Sequence, residues 1–123
     1  MNWSELRKRK IGGKELVIAI VQDAQTKKVL MTAFQDRQAF EKTQETGEMH
    51  FYSTSKKRLW KKGEISGNIM RVREIRVDCD GDALLYLVDC KGGACHEGYR
   101  SCFYRTVSGE IIEKKIFDPQ DIY

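Results

Sequence analysis

Asp78-Cys79-Asp80-Gly81-Asp82 crowds three carboxylates and a thiol into five residues, between the apolar runs Val72–Val77 and Ala83–Val88. Carboxylates this close repel one another unless a cation neutralises them. Side chains alternate between faces on an extended backbone, so Asp78, Asp80 and Asp82 are expected on one face and Cys79 on the other. Gly81 is where a bend would spoil that arrangement. Hard oxygen ligands favour Mg²⁺ or Ca²⁺, whereas a thiolate favours zinc. One short segment can therefore serve two different metals. An EF-hand is excluded, because its loop needs Gly at the sixth position and Glu at the twelfth; this chain has Ala83 and Asp89 there. Taken alone, the stretch also reads as a solvated acidic turn.

The runs around it predict an α+β fold. Glu15–Gln22, rich in Val and Ile, reads as a strand. Polar residues 23–28 read as a turn and Val29–Phe34 as a second strand, making a hairpin. Asp36 can cap a helix running to about Glu45, with Gly47 as its stop. Met49–Ser53 reads as a strand leading into a basic loop. Val72–Val77 and Ala83–Val88 are further strands. Ser108-Gly109 is a hairpin turn between Thr106-Val107 and Glu110-Ile111. The expectation is one compact domain over residues 1–123, mostly antiparallel strands with one main helix.

Apolar residues at 41% and charged residues at 33% mark a folded chain rather than a disordered one. A net charge of +4 suits an anionic small substrate and does not demand a nucleic-acid partner. The longest apolar run, Leu16–Val21, is far short of the ~20 residues of a membrane span. Met1–Lys10 is polar and basic with no apolar stretch behind it, which argues against a secretory signal and for the cytoplasm. Thiols stay reduced there, so the four cysteines read as metal ligands or core residues.

Cys79, Cys90, Cys95 and Cys102 form no C-x-x-C pair, which disfavours a zinc ribbon or finger. Cytidine-type deaminases need that pair with a preceding Pro, and are excluded. Catalytic zinc often takes three protein ligands and leaves one position for water. Cys95-His96-Glu97 follows the flexible Gly92-Gly93, and Cys102 comes seven residues later. Buried core thiols are the alternative reading. Of the two histidines, His50 reads as a structural or surface residue. His96, beside a candidate ligand, is either a ligand itself or a general acid/base.

Between Ser53 and Arg76 stand eight Lys or Arg residues and two Glu. Ser53, Ser55 and Ser66 are interleaved with the cations, a composition suited to phosphate oxygens. Trp60 can stack on a base or anchor the core. No Walker A or G-x-G-x-x-G pattern occurs.

Phe51-Tyr52-Ser53, Leu59-Trp60 with Lys62-Gly63-Glu64, Ser66-Gly67, Asp78 to Asp82, Gly92 to His96, and Ser101-Cys102-Phe103-Tyr104 together resemble the phosphoribosyl-AMP cyclohydrolase family. The similarity runs from about Val29 to Val107. It implies a homodimer of the histidine-biosynthetic hydrolase, in its form without a fused pyrophosphohydrolase. It implies zinc on Cys79, Cys95 and Cys102, and magnesium on Asp78, Asp80 and Asp82. Cys90 matches no motif of the family. Thr32 and Gln35 stand where the family usually has apolar residues.

The implied reaction opens the adenine ring of phosphoribosyl-AMP at its N1–C6 bond. His96 is the candidate proton shuttle. Ser53, Ser55, Lys62 and Ser66 are the candidates to hold substrate phosphate, Trp60 to stack on the base, and Lys57 and Arg100 to add further phosphate contacts. A zinc-stabilised RNA-binding module using residues 53–76 is the alternative from a different class. The acidic stretch beside the basic run argues against a polyanion.

Overall fold

Alternation of apolar and polar residues builds the centre of the molecule. The computed structural model describes residues 1–122. Its strands are β1 (Arg9–Ile11), β2 (Lys14–Asp23), β3 (Val29–Gln35), β4 (His50–Ser53), β5 (Arg58–Lys61), β6 (Met70–Val77) and β7 (Ala83–Cys90). In β2, Val17, Ala19 and Val21 are buried while the alternate Ile18 is exposed, the period-2 signature of a half-covered sheet. The strand order is β5-β4-β3-β2-β7-β6, with β1 added to β2. Every pairing is antiparallel except β2 with β7, which is parallel. The expected antiparallel domain is thus a mixed sheet. A parallel pair needs a long crossover, and here the whole of residues 24–82 supplies it.

The one α-helix among the described residues, α1 (Arg37–Thr46), begins and ends where local chemistry dictates. The Asp36 carboxylate accepts the Ala39 N–H at 2.8 Å as N-cap. Gly47 closes the helix in the left-handed region, φ 74°. Ala39, Phe40 and Thr43 are its buried face. Phe40 joins Leu30, Met49, Phe51, Met70, Tyr86 and Val88 in the core, and Trp3 packs on it with ring centroids 5.7 Å apart.

Gln35 is fully buried at a position where an apolar residue would be expected, and the structure supplies the reason. Its Oε1 accepts the Tyr86 hydroxyl at 2.6 Å. Its Nε2 donates to Thr43 Oγ1 at 3.1 Å and to the His50 carbonyl at 2.8 Å. One amide therefore ties β3, β7, α1 and β4 together. His50 is part of this scaffold: it is buried, its N–H donates to Thr43 Oγ1, and its Nδ1 lies 2.8 Å from the Glu48 carbonyl.

Two expectations are corrected. The basic segment is not one loop: besides the expected strand at 72–77, which begins earlier at Met70, it contains β5. Charges mask the apolar alternation there, but Phe51 pairs with Trp60 across β4 and β5 with rings 4.9 Å apart. The Ser108-Gly109 turn forms, with Thr106 N–H on the Glu110 carbonyl at 2.8 Å. It carries only the isolated bridge Arg105–Ile111 rather than strands. Val107, Ile111 and Ile112 are exposed on either side, so no packed face stabilises a ladder.

Replacing Gln35 by Leu should leave the buried Tyr86 hydroxyl without an acceptor and cost about 1–3 kcal/mol. Urea unfolding checks this as a lowered midpoint at unchanged slope. A change inside about 0.5 kcal/mol would show that the network carries little stability.

Candidate functional site

The acidic stretch is a turn and not a strand. Gly81 adopts φ 77°, and β6 ends at Val77 before it. The expected alternation of faces is therefore lost. The turn nonetheless gathers Asp78, Asp80 and Asp82, with carboxylate oxygens all within 4.8 Å of one another. Asp78 Oδ1 accepts the N–H groups of Asp82 at 3.0 Å and Ala83 at 3.2 Å, which fixes the turn. The N-terminal segment closes over it: Arg7 N–H donates to the Gly81 carbonyl at 2.8 Å, Arg9 pairs with Asp82 at 3.1 Å, and Arg7 with Asp80 at 3.7 Å. Hydrogen bonding to Asp82 and the charges of Asp78 and Asp82 hold the Asp80 carboxyl above its ordinary range. The Arg9 guanidinium holds Asp82 below its own. An exposed, like-charged set of hard oxygens fits a divalent cation such as Mg²⁺.

The thiols divide between the two ends of β7. Cys79 is exposed on the acidic turn, before β7 begins. Cys90 ends the strand, and Cys95 and Cys102 lie beyond it. Eight residues of strand span roughly 25 Å, so one chain does not bring Cys79 to the other two. Cys95 is buried and Cys102 exposed, and they are neighbours: desolvation of the Cys102 sulfur and the nearby Cys95 push that thiol up to about 12. Two adjacent soft donors in a partly desolvated place fit zinc. Burial also raises the Cys90 thiol, which donates to the Gly92 carbonyl at 3.4 Å. All four cysteines are free thiols.

The loop carrying Cys95 is pinned from several sides. Arg100 donates to the carbonyls of Gly92 and Cys90, each at 2.7 Å, and pairs with the buried Asp23 at the end of β2. Ser101 Oγ donates to the Val29 carbonyl at 2.7 Å, and Cys102 N–H to that of Leu30 at 2.7 Å. The chain beyond residue 114 straps the loop from outside, with Ile116 N–H on the Gly98 carbonyl at 2.8 Å. A side chain at Gly98, φ 100°, would strike the Phe117 carbonyl at 2.4 Å.

Beside the thiol pair lies a cleft of about 420 Å³. Ser53, Trp60, Lys62, Ser66 and His96, all singled out by sequence, line it. Lys56, Arg58 and Lys61, which were not, also line it. Lys56 lies in the β4–β5 turn and Arg58 and Lys61 on β5, a placement visible only once β5 is recognised as a strand. Ser55 and Lys57 sit in that turn, off the cleft wall, with Lys57 in the left-handed region at φ 53°. Arg100 is likewise off the wall, its guanidinium turned inward to Asp23 and the loop carbonyls. His96 projects from the Cys95 loop, largely exposed, with Nε2 3.2 Å from the Glu97 carboxylate.

Much of the basic run is neutralised internally. Lys61 pairs with Glu48 at 2.6 Å, Arg58 with Glu64 at 2.9 Å, and Arg73 with Asp89 at 2.9 Å. Arg71 and Arg76 are also in ion pairs. This is a poor surface for a polyanion. No helix among the described residues is long and apolar enough to cross a membrane.

A family model described as phosphoribosyl-AMP cyclohydrolase matches residues 31–104. The chain is 57% identical over 108 residues to the phosphoribosyl-AMP cyclohydrolase of Methanosarcina mazei, covering 88% of this chain and 90% of that protein. It is 56% identical over 110 residues to the protein of the same name from Haloarcula marismortui, covering 89% and 92%. With that of Methanothermobacter thermautotrophicus it shares 50% identity over 118 residues, covering 92% and 86%.

The Asp23–Arg100 clamp makes a pH prediction. Burial alone would raise the Asp23 carboxyl, but the N–H groups of Thr26 and Gln25 and the Arg100 guanidinium outweigh it and hold it below the carboxylate range. A depressed folded-state pKa contributes stability above the unfolded value, which is lost as pH falls through the folded one. Asp23→Asn should therefore be less stable at neutral pH and show a flatter loss of stability below about pH 4. Melting curves across that range check it; an unchanged acid slope would remove Asp23 from the linkage.

Proposed function

Because this chain belongs to the phosphoribosyl-AMP cyclohydrolase family of enzymes, we propose that it hydrolyses the adenine N1–C6 bond of phosphoribosyl-AMP in histidine biosynthesis, in the cytoplasm, using zinc and magnesium. The observation that carries this reading is one juxtaposition. A cation-lined cleft with Trp60 on its wall opens onto His96, the residue after Cys95, which neighbours Cys102.

The residues divide the work by their chemistry. Cys95 and Cys102 are the soft donors that would hold zinc, and Cys79 is the third. A zinc ion on such ligands activates water for hydrolysis and lowers its pKa toward about 7. Thiolate ligands donate charge and weaken that activation, so a base beside the attacking water gains importance. His96 stands next to Cys95 and on the cleft wall, where its imidazole can take a proton from water attacking C6 and return one to N1 as the N1–C6 bond breaks. The product is the ring-opened formimino-aminoimidazole carboxamide ribotide. Lys56, Arg58 and Ser53 around the β4–β5 turn supply charge and hydroxyl for phosphate. Trp60 offers a face for the base. Asp78, Asp80 and Asp82 would hold magnesium.

The same geometry supports a homodimer. Cys79 lies at the opposite end of β7 from the other two thiols, so a second copy supplies it. Phe103, Val107, Ile111 and Ile112 are exposed apolar side chains on the segment after Cys102, the kind of surface a partner covers.

Two experiments test this. Zinc- and magnesium-loaded protein should convert phosphoribosyl-AMP to the ring-opened product by absorbance. His96→Ala should keep its zinc and lose about 10²–10⁴ in kcat. No turnover by folded, metal-replete protein would overturn the activity, zinc loss would make His96 a ligand, and near-normal kcat would make it a bystander. Separately, Cys79→Ala, Cys95→Ala and Cys102→Ala should each lose tight zinc while Cys90→Ala retains it. Mixing Cys79→Ala with Cys95→Ala chains should restore part of the zinc binding if the ligands come from two copies. Stoichiometric zinc loss in Cys90→Ala, or an active monomer by light scattering, would overturn the assignment.

A further inference from the structure

Lys62 stands out among the cleft cations, because it alone is buried. It is 8% exposed, in a stretch where Lys56, Lys57 and Arg58 face solvent. Its Nζ donates to the Ala94 carbonyl, one peptide before Cys95. Its backbone N–H donates to the Met49 carbonyl at 3.0 Å, so the residue is anchored at both ends. The ammonium lies 5.9 Å from the Trp60 ring centroid. Burial pulls its pKa down, and Cys102, Cys90 and Cys95 are the neighbours that pull it back up.

From this we infer that Lys62 is a positioning residue of the thiol site, the cation that balances the thiolate ligands and orients the Ala94–Cys95 peptide. The inference rests on the zinc reading proposed above. Three thiolates on a dication leave one net negative charge, and burying a net charge without a partner is costly. A buried ammonium opposite that charge removes the penalty. An ammonium has three donors; one is committed to Ala94, and two remain. Groups outside the ligand shell commonly tune metal sites in this way. Lys62 thereby links the cleft wall to the metal ligands. The phosphate role falls instead to Lys56, whose charge reaches solvent, with Arg58 beside it, exposed although paired with Glu64.

Lys62→Gln keeps a hydrogen-bond donor for Ala94 but removes the charge, and Lys62→Arg keeps the charge. Cobalt(II) titrated into metal-stripped protein reports the site through thiolate-to-cobalt charge-transfer absorbance. Lys62→Gln should bind cobalt about 10- to 100-fold more weakly, with Lys62→Arg recovering much of that loss. At saturating zinc, Lys62→Gln should show lower kcat and an unchanged KM. Unchanged cobalt affinity with a raised KM would make Lys62 a phosphate ligand and overturn the inference. Equal weakening in both variants, together with a lowered melting temperature, would reduce Lys62 to packing and overturn it as well. A wild-type cobalt band that is absent, or that survives in Cys95→Ser, would instead overturn the zinc reading beneath it.

Discussion

The parallel pairing of β2 with β7 is the constraint on which the arrangement of this protein rests. Ile18 to Asp23 run in register beside Ala83 to Val88, and β3 and β6 complete the sheet on either side. A parallel neighbour forbids a short turn, so the helix, the β4–β5 hairpin and β6 must all be threaded between the two strands. Because β7 runs eight residues between β2 and β6, whatever precedes it stands at one end of the strand and whatever follows it at the other. The carboxylate turn and the thiol loop are therefore separated by the length of a strand, although they are close in sequence.

At the thiol end, order comes from hydrogen bonds rather than from regular structure. Arg100 occupies the carbonyls of Gly92 and Cys90 and the carboxylate of Asp23, and Ser101 and Cys102 attach to the start of β3. Lys62 holds the Ala94 carbonyl from the cleft side. A loop of residues 91–102 without helix or strand would otherwise be mobile. These anchors leave Cys95 and His96 on a fixed backbone, which is what a hydrolytic site needs.

The basic character of the chain has a similar double use. Arg58 pairs with Glu64, Lys61 and Arg71 with Glu48, and Arg73 with Asp89. Exposed pairs of this kind contribute little stability. Their consequence here is electrostatic, because they leave a cleft whose positive character is local and sized for a small anion rather than a long polyanion.

Local physics was legible in the residues themselves. The Asp36 cap, the Gly47 stop, the first hairpin and the central strands follow from short-range chemistry, and the structure has them within a residue or two. The motif residues also singled out Asp78, Asp80 and Asp82, which the fold gathers into one turn. Strand β5 was hidden, because Arg58 and Lys61 mask the pairing of Trp60 with Phe51. Arg100 looked like a phosphate contact because a cation near a motif says nothing about which way it turns. Only the tertiary structure decided that it faces Asp23, that Lys62 is buried against the thiol loop, and that Cys79 stands apart from Cys95. Each of these depends on which strands are neighbours. Strand order is settled by burial summed over the whole sheet, a quantity that no short segment of sequence contains.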